Sequence, residues 1–269
     1  MICNNSNSIS FSSHCTQISD AQWVCHTVNK TFPHVSTTKI KPITEKFLRK
    51  VAGNKVIENG PLSIYMIRRY INSLIKSTKN NNTFTYFVDK ILFRSKRFSQ
   101  KDIKILKYIS NQFYELGNCR RKCAKVDAPF NTLKILEEYK KGNCYENAIL
   151  AELIMKLNGI DYAKTIYLKD KNGNPQHAVC IFNRDGSKFE KIINNKSIII
   201  DPWIGKTDFA NNMIIYYNNM LSNNFLIEPK TEFEIINDFN LLPCDKIRLK
   251  QKYPQLVFNS NNHKFMGEN

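Results

Sequence analysis

Glycine and proline are scarce in this chain, with nine of each among 269 residues. That scarcity excludes a collagen-like repeat and argues against a Pro/Gly-rich disordered polymer. Long apolar runs are missing too. Ile198-Ile199-Ile200 is among the longest stretches, whereas a membrane-spanning helix needs about 20 apolar residues. No internal repeat is visible, and no basic-then-apolar segment opens the chain, so export by a Sec-type leader is not expected and another route is. Cysteine is sparse: eight residues stand at positions 3, 15, 25, 119, 123, 144, 180 and 244. That spacing is too irregular for a small disulfide scaffold, and reduced thiols are expected. Cys119 and Cys123 would share a helical face. No second Cys or His pair follows them at zinc spacing, so no metal is expected.

Acidic residues are scarce in one segment only. From Lys39 to Lys125 the chain carries 21 Lys/Arg against 5 Asp/Glu, while the whole chain has a net charge of +17. Residues 1–38 balance Lys30 against Asp20, and the remainder from Asp127 is nearly neutral. A basic solvated face is the plain reading of this segment. A docking surface for anionic lipid or an acidic partner is the sharper one. Nucleic acid is not expected, because no zinc finger, aromatic RNP-like motif or helix-turn-helix is recognisable.

What the chain does have is 42% apolar residues with 17 Phe and 12 Tyr, enough for a real core. Three regions follow from its texture. Residues 1–38, rich in Ser, Thr, Asn and Cys, predict an irregular or disordered stretch. Residues 39–126 predict a basic helical domain. Leu62, Tyr65, Met66, Arg69, Tyr70 and Leu74 fall near helical spacing, and Lys79–Thr83 reads as a loop. A helix including Ile103, Leu106, Ile109, Phe113 and Leu116 would start near Ser99 and end at Gly117. Residues 127–269 predict a catalytic domain of α+β class. It begins with a short helix over Thr132–Lys140 and a longer one opened by Cys144 and stopped at Asn158-Gly159. Strands follow over Ala163–Leu168, His177–Phe182 and Ser197–Ile200, joined by turns at Asp170–Asn174 and Arg184–Ser187. One more helix is expected around Phe209–Leu221.

Three residues stand out. Cys144 opens a helix after Gly142-Asn143, and a helix N-terminus with its unpaired N–H groups favours a thiolate. His177 begins a strand beyond a tight turn, where an imidazole can serve a thiol as base. Asp201 ends the next strand and can fix the imidazole's orientation. Each alone is an ordinary residue for its place, since an Asp before Pro is commonly a turn residue. Together, each sits at the end of its own element, and adjacent antiparallel strands can bring His177 and Asp201 together. Trp203 either packs over the imidazole and excludes water or is a core Trp. Cys180 is expected in the sheet as a small hydrophobe.

The segments GNCYENAILAELIMKLNGI, QHAVCIFN and IIIDPWIG resemble the transglutaminase-like branch of the papain-like superfamily. They are most similar to bacterial virulence deamidases such as the catalytic domain of Pasteurella multocida toxin and related Salmonella and Shigella effectors. The resemblance spans about residues 134–206. It implies a nucleophile helix packed on an antiparallel sheet, a Cys144–His177–Asp201 triad, no cofactor, and a secreted effector acting on a host protein in the host cytosol, at membranes. The implied activity is glutamine deamidation, or transamidation where an amine replaces water. A cysteine protease of the same fold is the alternative, and a non-enzymatic basic adaptor for membranes or acidic proteins is the further one. Papain-type proteases often place a Gln before the nucleophile, where Glu138 stands here. The oxyanion would then fall to the backbone N–H of Cys144 or to Asn143 or Asn131.

The charge asymmetry generates a test. The chain is expected to co-sediment with phosphatidylserine vesicles at low salt and poorly with neutral ones, each Lys or Arg near the surface contributing on the order of 1 kcal/mol. Neutralising Arg94-Ser95-Lys96-Arg97 and Arg120-Arg121-Lys122 should abolish the difference. Equal binding to both vesicle types would favour the acidic-partner reading.

Overall fold

A computed structural model describes residues 16–32, 99–169, 173, 175–189, 192–220, 233–237 and 239–258. The helix expected over Leu62–Leu74, the loop Lys79–Thr83, the cluster Arg94–Arg97 and most of the turn Asp170–Asn174 lie outside the described residues. The described residues divide into two compact units: 16–32 with 144–215 and 233–258, and 99–143 with 216–220.

The first unit is α+β. Its sheet has five strands in the order β4-β3-β2-β1-β5, and every neighbouring pair is antiparallel. The strands are β1 Lys164–Lys169, β2 Pro175–Asn183, β3 Ser197–Asp201, β4 Lys206–Phe209 and β5 Glu234–Asn237. β1 to β3 form a meander. The connection from β2 to β3 is longer than the expected turn, running over residues 184–196; Arg184–Ser187 opens it, with Gly186 at φ +79 and its N–H donating to Asn183 O, a conformation glycine adopts without Cβ strain. The paired residues Cys180↔Ile200, Ile181↔Ile199 and Phe182↔Ile198 are all buried. The β-branched run of β3 therefore meets apolar neighbours on both faces, and does not alternate as a half-exposed strand would.

Two helices pack on this sheet and on each other: α1 Thr16–Thr31 and α4 Cys144–Leu157. The expectation of an irregular N-terminal stretch is corrected for Thr16–Thr31. Ala21, Val24, Cys25, Val28 and Phe32 recur every three or four residues, and all are buried. Ser, Thr and Asn gave that stretch a loop-like composition, yet they fill its other positions and leave the stripe intact.

α4 is buried along nearly its whole length and on all sides, Glu146, Asn147, Glu152 and Lys156 included. The charged pair is satisfied within the core. Lys156 Nζ lies 2.8 Å from Glu152 Oε1, Thr165 Oγ1 donates to Glu152 Oε2 at 2.7 Å, and Lys156 also donates to Phe239 O and sits over the Phe239 ring. Burial, the largest influence, raises the Glu152 pKa, against the opposing pull of Lys156 and Thr165. The helix stops as expected at Gly159, whose φ is +93. β4 and β5, one before and one after α5 (Ala210–Met220), extend the sheet beyond the predicted strands, and α6 Pro243–Lys252 closes the described C-terminal segment. Asn158 secures that segment, donating to Leu256 O and accepting from the Phe258 N–H.

The second unit holds α2 Gln100–Cys123 and α3 Phe130–Glu138. α2 runs past Gly117, where it was expected to end. Gly117 is not in the left-handed region, and Leu116, Cys119 and Cys123 continue one apolar face against Ile135 and Tyr139. That packing outweighs the helix cost of a glycine, about 1 kcal/mol. Within the basic cluster, Arg120 donates to Asn143, Arg121 donates to Asn118, and Lys122 lies over the Tyr139 ring.

The buried pair on α4 generates the stability test. Lys156→Met strands the Glu152 carboxylate and should lower the unfolding free energy by about 3–5 kcal/mol. The double replacement Glu152→Gln/Lys156→Met should recover most of that loss, read as urea midpoints at pH 7.

Candidate active site

Register decides which side chains meet. Cys180 pairs with Ile200. His177 lies three residues before Cys180 and Asp201 one after Ile200. Side chains alternate between faces along a strand, so both emerge on the face opposite Cys180 and Ile200. There His177 Nε2 and Asp201 Oδ2 stand 2.5 Å apart, with both side chains buried.

The carboxylate is held from two directions. Its Oδ1 accepts the backbone N–H of Trp203 at 3.1 Å and of Ile204 at 3.3 Å, a turn that Asp favours at this position. Pro202, Ile204 and Gly205 carry the chain round to β4, with the Gly205 N–H donating to Pro202 O. The Trp203 ring lies 5.2 Å from the imidazole at 47°, and Trp203 is buried. Of the two expected roles, packing against the imidazole is the one its position serves. It shields the His177–Asp201 contact from water and thereby strengthens it.

Cys144 is the first residue of α4, 9% exposed, and it lies close enough to the imidazole to act on its protonation. Asp201 takes Nε2, so proton exchange with any other group falls to Nδ1. Burial is the largest influence on His177 and disfavours the charged ring. The Asp201 charge and hydrogen bond, joined by Cys144, overcome it and raise the His177 pKa from 6.5 to about 10. Other thiols differ in kind. Burial, reinforced by the Asp201 charge and opposed by a Thr207 hydrogen bond, pushes Cys25 up to about 12. Burial also raises Cys119 and Cys180. Cys180 sits in β2 between apolar neighbours, as expected of a small hydrophobe.

The remaining expected residues belong to the other unit. Asn143 directly precedes Cys144 in the chain and is buried, its Oδ1 accepting from Arg120 Nη2 at 3.2 Å. Asn131 is half-buried on α3, with Oδ1 accepting from Thr132 Oγ1 at 3.2 Å. Sequence reasoning missed the support from α1. Cys25 Sγ donates to Asp201 O at 3.8 Å, and Asn29 Nδ2 donates to Pro202 O at 2.9 Å. The helical stripe through Val24 and Val28 was the signal that could have placed that helix. Among the described residues no group of three or more His, Cys, Asp or Glu side chains is arranged to hold a metal ion.

A raised histidine pKa fixes the sign of a pH dependence. The contribution of the His177–Asp201 pair is fully present below about 6.5, the unfolded value, and is lost as pH rises through about 10. The His177 ring resonances should therefore stay those of imidazolium at pH 8. Asp201→Asn should bring the titration down by pH units, because burial then acts with less opposition. The stability advantage of the native chain over that variant should shrink between pH 7 and 10. A ring already neutral at pH 7 would contradict this.

Comparison of the chain with protein-family models, with curated proteins and with solved structures finds no match in any of the three.

Proposed function

We propose that the chain is a cysteine-dependent amidohydrolase acting on a glutamine side chain of a host protein, built on a papain-like, transglutaminase-like core of the bacterial virulence deamidase type. The observation that carries this reading is the buried His177–Asp201 pair at 2.5 Å, with Cys144 at the first position of α4 acting on the same imidazole. A thiol at a helix N-terminus beside a charged ring has the two influences that favour a thiolate. The third group holds the ring in one orientation.

The chemistry follows from these positions. The Cys144 thiolate attacks the carboxamide carbon, forming a C–S bond and a tetrahedral oxyanion. His177, as imidazolium, gives its Nδ1 proton to the amide nitrogen, the C–N bond breaks and ammonia leaves. Water then attacks the thioester while His177 takes its proton. Glutamate forms, and the sulfur departs as thiolate. The role of Asp201 is to orient the imidazole and stabilise its charged form. The oxyanion falls to the Cys144 backbone N–H at the start of α4. An amine in place of water gives transamidation. No cofactor enters any step. The host setting, as a secreted effector working in the cytosol at anionic membranes through residues 39–126, rests on the charge asymmetry and on the resemblance in the three motifs.

The test is mass spectrometry of host-cell proteins exposed to active chain or to Cys144→Ala. A +1 Da change at glutamine, absent with the variant, is the expected result. Activity should fall on the order of 10⁴-fold or more in that variant, with an unchanged far-UV spectrum. A cross-link would mark transamidation, and cleavage would mark a protease. Equal effects from the two chains would end the nucleophile assignment and leave the basic adaptor.

A further inference from the structure

Asn29 does something that the triad alone does not explain. Its Nδ2 donates twice, to Cys25 O at 3.2 Å in its own helix and to Pro202 O at 2.9 Å. The first bond anchors the side chain on α1. The second crosses 173 residues of sequence to the carbonyl of the Pro202–Trp203 peptide. One helical turn back, the Cys25 thiol reaches the preceding carbonyl, Asp201 O, at 3.8 Å. Two successive carbonyls are thus gripped by one face of α1, at positions i and i+4. On the other side of the same turn, the Trp203 and Ile204 N–H groups grip Asp201 Oδ1. One carboxylate oxygen is fixed by the turn, the turn is fixed by the helix, and Oδ2 is presented to His177.

We infer that Asn29 is a positioning residue of the site, its amide locking the Pro202–Trp203 peptide, whose N–H donates to Asp201 Oδ1, so that the carboxylate meets the imidazole. The inference rests on the proposed cysteine-hydrolase reading and deepens it, making the N-terminal helix part of the catalytic apparatus. The residue type fits the task. Both bonds need a hydrogen from one nitrogen. An Asn amide has two, a Ser hydroxyl has one, and an Asp carboxylate has none and would face two carbonyl oxygens. A shift of about 1 Å in an orienting group can cost on the order of 10²-fold in rate, so the lock acts well before the fold is at risk.

The experiment reads the site without a substrate. Iodoacetamide labels the full chain between pH 5 and 9, and mass spectrometry follows Cys144, with exposed Cys244 as reference thiol. In the native chain Cys144 should label faster than Cys244 at pH 6, because the imidazolium keeps it ionised. In Asn29→Asp the Cys144 profile should move to higher pH, with labelling at pH 6 about tenfold slower for each unit moved. Cys244 should not change. Should Asn29→Asp lose the native far-UV spectrum, Asn29→Ser takes its place with the same readout. A fast native Cys144 whose profile is unmoved in the Asn29 variants overturns the positioning role and leaves the triad standing. A native Cys144 no faster than Cys244 overturns both.

Discussion

A carboxylate removed from water is the constraint around which the first unit is arranged. Asp201 has no exposed surface, and an ion in such a place costs several kcal/mol unless hydrogen bonds and an opposite charge offset it. Here the offset comes from every side: two backbone N–H groups to Oδ1, the imidazole to Oδ2, and the Trp203 ring closing against the imidazole. None of these partners can be moved alone. The position of β3 beside β2, the tight passage into β4 and the approach of α1 are all required to keep that charge solvated by protein. The same arrangement makes His177 basic. An imidazole deeply buried without an anion would be neutral, and it is the balance of burial against Asp201 that sets its charge.

The parts of this fold that were legible in the sequence are those whose signals are local. Gly159 and Gly186 mark a helix end and a hairpin, and their positive φ values show why glycine stands there. The strand run Ser197–Ile200 and the helix opened by Cys144 were readable from pattern and composition, and so was the pairing of His177 with Asp201, because a meander leaves few alternatives. Three things were not legible. α1 was hidden because the Ser, Thr and Asn of residues 1–38 give the whole stretch a loop-like composition, and its apolar residues are interrupted by polar ones. β4 and β5 are four residues each, too short for alternation to register, and they form because open sheet edges accept them. The extent of α2 beyond Gly117 depended on Ile135 and Tyr139, which lie in a later helix. Asn29 belongs with these, since a donor to a carbonyl 173 residues away leaves no mark in any local pattern.

α4 joins two demands that usually conflict. A nucleophile helix must present its first turn to the site, and in this fold the same helix is the centre of the core, buried on all sides. Apolar residues at every position would let it rotate or slide among near-equivalent packings. The Glu152–Lys156 pair and its bonds to Thr165 and Phe239 O have directional partners on β1 and near the C-terminal segment, so only one rotation satisfies them. Whether such pairs add stability over an apolar replacement varies between proteins. In this one their geometry ties the rotation of α4, and so the placing of Cys144, to a strand that also pairs with the His177 strand.

The grip of α1 on the Asp201 carbonyl spans 176 residues of sequence, and this has a consequence for synthesis. At about 5–20 residues per second, a ribosome that has finished α1 needs roughly 9–35 s more to deliver the turn that α1 holds. For most of that interval the helix has neither α4 nor β3 to pack on, and a 16-residue segment of modest intrinsic propensity does not persist alone in water. The nascent chain therefore carries its thiols through the tunnel exit without the arrangement that distinguishes Cys144 from the others. The contacts that hold the Asp201 turn are therefore completed late, once that turn has left the ribosome.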